Sequence, residues 1–323
     1  MPTPLIIGAG AGLISAALFA SAATATAVAG ILFYLTPLPL CLAGLGWGSM
    51  AALVAAVTGT IIVGTTLGPG VAAIFALSVA APAALLTHLA LLSRPVAAVQ
   101  GPAASAVEWY PPGRLVTWAT LIAGLLGGIL VAVMLGYDQE SAAESMRKIL
   151  GALKELDRDG SLLTDANMES LATMLVRALP AAFAIVWLTV MLFNLWIAGL
   201  IVDASGRALR PWPNLRALDL PNALVLVFAG ALAASFLPGL PGLLATGLAG
   251  ALLLAYVLQG LAVIHVYSQG VPLRALLLAT VYLGILLLGW VAILVAILGL
   301  AEPLLGLRQR ASPGGQPPSS GAI

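Results

Sequence analysis

Residues 1–93 begin Met1-Pro2-Thr3-Pro4-Leu5-Ile6-Ile7-Gly8, pass through Gly44-Leu45-Gly46-Trp47-Gly48-Ser49-Met50 and end Leu89-Ala90-Leu91-Leu92-Ser93, without one Lys, Arg, Asp or Glu. Arg94 is the first charged side chain. A water-soluble surface needs charged and polar groups to cover it. At the centre of a bilayer, by contrast, each charge costs roughly 2.5–3.5 kcal/mol on insertion scales. The stretch belongs in lipid, and the whole chain agrees with it: 61% hydrophobic, 8% charged, mean hydropathy +1.10. That composition describes a polytopic all-α membrane protein rather than a soluble domain with an anchor. A net charge of +1 offers no basic stripe for nucleic acid. The single cysteine, Cys41, excludes an intrachain disulfide and argues against a cysteine-based metal site. The amino terminus lacks a basic n-region, and its apolar run exceeds a signal h-region of about 7–15 residues, so it reads as a retained span.

A spanning helix needs about 20 apolar residues at a rise of about 1.5 Å each. By that measure the chain offers about eight spans, give or take one: 5–34, 38–64, 71–92, 115–135, 175–202, 223–237, 240–266 and 273–300. The first is too long for one straight crossing and must tilt, bend or split near Thr24–Gly30. The sixth is short, and Pro238-Gly239-Leu240-Pro241 sets it against the seventh as a helical hairpin. Tight, uncharged turns are expected near Thr36-Pro37 and at Gly68-Pro69-Gly70. Residues 1–310 read as one transmembrane domain and 311–323 as a disordered, solvated tail.

Residues 137–173 form the one sizeable polar connection and carry eight of the twelve carboxylates. Met146, Ile149, Leu150, Leu153 and Leu156 fall on one helical stripe, ended at Asp157-Arg158-Asp159-Gly160-Ser161. An amphipathic helical insertion lying at the membrane interface is expected, with a soluble helical hairpin as the alternative. Sidedness stays open. Arg94, Arg114, Arg207, Arg210, Arg216 and Arg274 collect on one side, and Arg147, Lys148, Lys154, Arg158, Arg308 and Arg310 on the other. If the first segment splits in two, the termini lie on opposite faces.

Polar side chains at membrane depth are costly and face protein or water. Asn194, Gln259 and His265 are the candidate ligand-binding residues, with Trp187, Trp196 and Tyr256 as aromatic walls and His88 near a span end. The competing reading is helix–helix hydrogen bonding, worth about 0.6 kcal/mol on average. Gly8/Gly12, Gly44/Gly48, Gly64/Gly68 and Gly124/Gly128 are all GxxxG pairs, read as packing faces. HExxH, GxSxG and phosphate-loop motifs are missing, and no two carboxylates share a span. No enzyme, cofactor or metal is expected.

Asn194-Leu195-Trp196-Ile197-Ala198, Arg210-Pro211-Trp212-Pro213-Asn214-Leu215-Arg216, Leu220-Pro221, Gln259-Gly260-Leu261-Ala262-Val263-Ile264-His265 and Leu298-Gly299-Leu300-Ala301-Glu302 follow one another in an order that resembles the YybS-like bacterial membrane family. The terminal motif departs from that family's usual Asp-Phe/Leu-Arg ending, with Gly306-Leu307-Arg308 in its place. The resemblance implies a fold similar to the S components of energy-coupling-factor transporters. It further implies a bacterial plasma-membrane protein that binds a small solute in its bundle and works with separate ATPase and coupling subunits. The small-residue faces of the first segment then resemble the surface that meets such a partner. The rival expectation is a scaffold or assembly factor for envelope or biosynthetic machinery.

Overall fold

A computed structural model describes residues 3–24, 26–95, 107–136, 139–156 and 165–311. The tail from residue 312 and the break at 157–161 lie outside them. The architecture is an all-α bundle with one two-stranded ribbon, β1 (Ser93–Pro95) on β2 (Val107–Trp109). Among the described residues seven stretches are long and apolar enough to cross a membrane. They are Thr3–Thr24, Ala27–Trp47, Ser49–Leu67, Pro69–Leu91, Pro112–Leu135, Met168–Ala204 and Gly239–Tyr267; Ala223–Ala234, Arg274–Leu288 and Trp290–Leu305 are apolar but shorter.

The charge-free stretch folds differently from its segmentation by hydropathy. The first segment does split: α1 (Thr3–Ala20) ends in a 3-10 turn, and α2 (Ala27–Tyr34) begins a second span. That span continues through Thr36-Pro37 into α3 (Pro37–Trp47), so the expected loop there is a kink in mid-membrane. The turn comes at Gly48, whose φ of 93° suits glycine alone, and α4 (Ser49–Leu67) follows at once. Hydropathy ran the chain straight through this point because a glycine turn in an apolar run leaves no polar mark. Gly68, φ 97°, makes the next turn into α5 (Pro69–Phe75), which a π-helical turn joins to α6 (Ala81–Leu91).

Two of the four GxxxG pairs are packing faces. A Cβ at Gly8 would stand 2.6 Å from Ala51 O, and one at Gly12 would stand 2.5 Å from Ala55 O, so α1 lies backbone to backbone on α4. Gly124 and Gly128 of α7 (Pro112–Leu135) do the same against Leu248 and Leu244 of α11 (Gly239–Tyr267). Gly48 and Gly68 end helices instead, with open space around them.

The polar connection is a hairpin. α8 (Gln139–Leu156) turns Ala142, Met146 and Leu150 onto Ala172 and Val176 of α9 (Asp165–Ala204), over the end of α7 at Val131 and Leu135. Met146 and Leu150 of its apolar stripe are thus covered by protein, whereas Ile149 is 48% exposed. At about 60 Å for its 40 residues, α9 far exceeds a hydrocarbon core of about 30 Å, so its first turns project with α8.

The last third is built from broken helices. α10 (Ala223–Ala234) and α11 form the expected hairpin around Pro238. The eighth expected span is itself a hairpin, α12 (Arg274–Leu288) and α13 (Trp290–Leu305), hinged at Gly289 with φ 59°. It leaves and returns at one end of α11. Arg274 Nε meets Ser268 Oγ at 3.3 Å where it starts, and Tyr267 Oη donates to Leu307 O at 2.9 Å where it finishes, in α14 (Leu307–Ala311).

Candidate functional site

Proline sets the polar chemistry of this bundle. A proline inside a helix lacks an N–H and leaves the carbonyl four residues back without a partner, which lipid cannot supply. Pro303 frees Gly299 O, and Gln259 Nε2 donates to it at 3.1 Å while Gln259 Oε1 accepts Leu220 N–H at 2.8 Å. Pro82 frees Ser78 O, and Trp187 Nε1 takes it at 2.7 Å. At the α2–α3 kink, Thr36 Oγ1 donates to Phe33 O, Ser15 Oγ to Thr36 O, and Asn194 Nδ2 to Tyr34 O at 2.8 Å and Val190 O. Gln259 is fully buried with both ends of its amide occupied, and Asn194 is buried in another part of the bundle. Tyr256 is also fully buried, ring against Phe228 at 5.7 Å. Of the three residues singled out from sequence, His265 alone faces a cavity. His88 bonds Ser49 Oγ at 2.9 Å between α6 and α4.

The connection from Ser205 to Asn222 is held into the bundle rather than free in water. Arg210 is 9% exposed, donates Nη1 to Ala90 O at 2.6 Å, and lies 5.6 Å over the Trp109 ring. Burial lowers the pKa of this guanidinium from its ordinary value. Arg308 ties the other side: Nε to Glu302 at 2.7 Å, Nη1 to Leu218 O at 2.7 Å, Nη2 to Asp219 at 2.9 Å. The indole of Trp212 occupies the space a Cβ would need at Gly199, which fixes the connection on α9. The terminal Arg308 and Glu302 thus close the fold by pinning residues 216–219, a role their place near the end of the chain did not suggest.

Under this connection, between α9 and α11, lies a groove of ≈ 650 Å³. Leu192, Phe193 and Trp196 line one wall, Leu254, Leu258 and Leu261 the other, with Trp212 and Leu218 above and Tyr282 of α12 at the edge. Phe193 and Trp196 are 49% and 38% exposed, so the groove opens sideways toward lipid. Its polar groups gather near the connection: Asn214, Arg216 and His265, whose Nδ1 donates to Leu261 O at 2.9 Å. Among the described residues no carboxylate lines it. Hydropathy hid the groove because its walls are Leu, Phe and Trp, the residues that also face lipid. Among the described residues no three His, Cys, Asp or Glu come together as they would for a metal ion.

The profile described as "Predicted membrane protein (DUF2232)" matches residues 13–302, nearly the whole bundle. This chain belongs to the DUF2232 family. The match runs from α1 through the buried Glu302, so the helices, the pinned connection and the groove of this DUF2232 protein all fall inside it. No curated protein and no solved structure matches the chain.

Proposed function

We propose that this DUF2232 protein is a non-enzymatic binding component of the bacterial plasma membrane. It takes a small, mainly apolar solute from the bilayer into the groove between α9 and α11 and serves its transport. The groove carries this reading: ≈ 650 Å³ is within the range of ligand pockets, about 300–1,000 Å³, and it has apolar walls with a few convergent polar groups. His265 keeps the contact role read from sequence, joined by Trp196, Trp212 and Arg216. Gln259 has both amide ends on the backbone, and Asn194 gives its Nδ2 to the backbone while its Oδ1 has no partner among the described residues. The sequence has no nucleotide-binding motif, so energised uptake falls to separate ATPase and coupling subunits, in keeping with the likeness to transporter S components. To test the site, Leu258→Trp is made to fill the groove, and labelling by a photoactivatable fatty alcohol is measured. Labelling should fall at least about tenfold, the worth of about 1.4 kcal/mol. Undiminished labelling of a folded variant refutes the site.

Sidedness follows from the end of the bundle that holds the groove's polar rim. Arg207 lies 5.0 Å over Trp47, Arg210 reaches Ala90, and Arg308 reaches Asp219, so the ends of α3, α6 and α13 meet there. Arg308 and Arg310 therefore join Arg94, Arg114, Arg207, Arg210, Arg216 and Arg274, giving eight cations of the thirteen; the remaining five fall within residues 147–177. By the positive-inside rule this basic end is cytoplasmic. α1 runs parallel to α4 from the same end, so both termini of the described bundle belong to it, not to opposite faces. Single cysteines at Thr3 and Arg310, in a Cys41→Ala background, should both resist an impermeant maleimide in intact cells. Labelling of either reverses the assignment.

A scaffold role is favoured by one observation: α12 has no buried residue, its packing being on α13 and, through Tyr282 at 6.0 Å from the His265 ring, on α11. Isolation in mild detergent separates the readings, since ATPase-type subunits accompany a transport component and envelope machinery accompanies a scaffold.

A further inference from the structure

We infer that the groove's occupant is an anionic phospholipid of the leaflet at the basic end, its chain along α9 and its phosphate on Arg216. This rests on the groove being a binding site and adds the chemistry of what binds. Three observations lead to it.

The first is length. From Thr189 to Leu200, both lining residues or neighbours of the groove's wall on α9, the rise is about 17 Å, close to half of a hydrocarbon core of about 30 Å. A groove that runs from one face to about the midplane matches the chain of a single leaflet, and its lateral opening lets a lipid enter without leaving the bilayer.

The second is the division of chemistry along that length. The deep part is Thr189, Leu192 and Leu254, whereas Asn214, Arg216 and His265 sit together at the shallow end. An amphiphile has the same division; a uniformly apolar solute has no use for the rim.

The third is charge. Among the described residues no carboxylate lines the groove. Asp219, beside the groove-lining Leu218, and Glu302 are both held by Arg308. Among the described residues the Arg216 guanidinium has neither a hydrogen bond nor an ion pair, although its backbone N–H is fixed by Asn214 at 3.1 Å. His265 gives its Nδ1–H to Leu261 O, so its Nε2 is left as an acceptor, suited to a head-group hydroxyl rather than to a phosphate. A planar guanidinium binds phosphate oxygens through parallel N–H donors, and juxtamembrane cations at a cytoplasmic face meet a leaflet of negative surface potential.

The test uses the full chain in lipid nanodiscs made from equal parts of phosphatidylglycerol and phosphatidylcholine with identical acyl chains, and native mass spectrometry of the lipids it retains. Both head groups carry a phosphate, but only phosphatidylcholine carries a choline cation that offsets it against Arg216, so the contrast reads the net charge-assisted contact, worth about 1.5–3 kcal/mol, or about 10- to 100-fold. Phosphatidylglycerol should be retained over phosphatidylcholine by at least about tenfold. Arg216→Gln should bring the ratio to about one, and Arg216→Lys should keep most of it. Leu258→Trp should remove both lipids, with Leu192→Trp as the second filler if the first does not fold. Equal retention by the unaltered chain, or a preference that survives Arg216→Gln or both folded filling variants, overturns the inference. Full displacement by inorganic phosphate overturns it as well, since that marks a soluble-anion site. Fatty-alcohol labelling that persists in any of these cases leaves the groove itself standing, so the two failures are distinguishable.

Discussion

Both ends of the chain use close glycine contacts, Gly260 on Val295 O and Gly299 on Tyr256 O in the last third included, and they differ in what else holds them. From α1 to α6 no charged side chain exists, and helices approach through glycine and alanine: Gly8 and Gly12 on Ala51 and Ala55, Gly44 on Thr87. From Ser205 to α14 the chain leaves helical geometry within the bundle, and polar groups hold it: Arg210 on Ala90 O, Gln259 on Leu220 N–H and Gly299 O, Arg308 on Glu302, Leu218 O and Asp219. Close backbone contact needs no solvation but allows no opening. Irregular chain needs a partner for every exposed peptide group, and in exchange it frames a groove. A function sited at the groove is therefore a function of the second kind of construction.

The sharpest way to break the contrast is Arg308→Met. It strands the Glu302 carboxylate, 6% exposed, and releases residues 216–219. Breaking one side of a buried pair costs about 3–5 kcal/mol, so equilibrium unfolding in mixed micelles should show a loss of that order together with loss of groove labelling. Next comes Gly12→Leu, where backbone rather than a flexible side chain blocks the new atoms; overpacking costs about 1–3 kcal/mol or more. That loss should leave the groove's labelling per folded molecule unchanged.

Gln259→Leu leaves an N–H and a carbonyl unpaired at about 1–3 kcal/mol each at most. Its cost should fall by about 1 kcal/mol in a Pro303→Ala background, where Gly299 O regains an internal donor; a double-mutant cycle reads this coupling. Zero coupling would mean that Gln259 serves something other than the proline gap. The smallest effect belongs to Gly10→Leu. Nothing lies within 4 Å of a Cβ there, so stability should stay within about 0.5 kcal/mol.

The membrane class was legible from ninety-three uncharged residues, because lipid and water impose incompatible demands on a surface and no third solvent is available. The α10–α11 hairpin and the amphipathic stripe of α8 were legible too, from Pro238-Gly239 and from the spacing of Met146 and Leu150. The prolines at 82 and 303 even marked in advance which carbonyls would be orphaned, since that relation is local to four residues. Which side chain answers each of them was not local: Trp187 and Gln259 stand 109 and 40 residues away from the carbonyls they serve. Gly48 turned the chain inside an apolar run, and α12 doubled back at Gly289, because a positive φ costs glycine little and changes no hydropathy. The amino acids alone determined the solvent and the stock of polar groups to be satisfied. Only tertiary structure decided which of those groups were spent on the backbone and which, like the Arg216 guanidinium and Nε2 of His265, were left beside a groove, because hydrogen bonding depends on distance in space and not on distance along the chain.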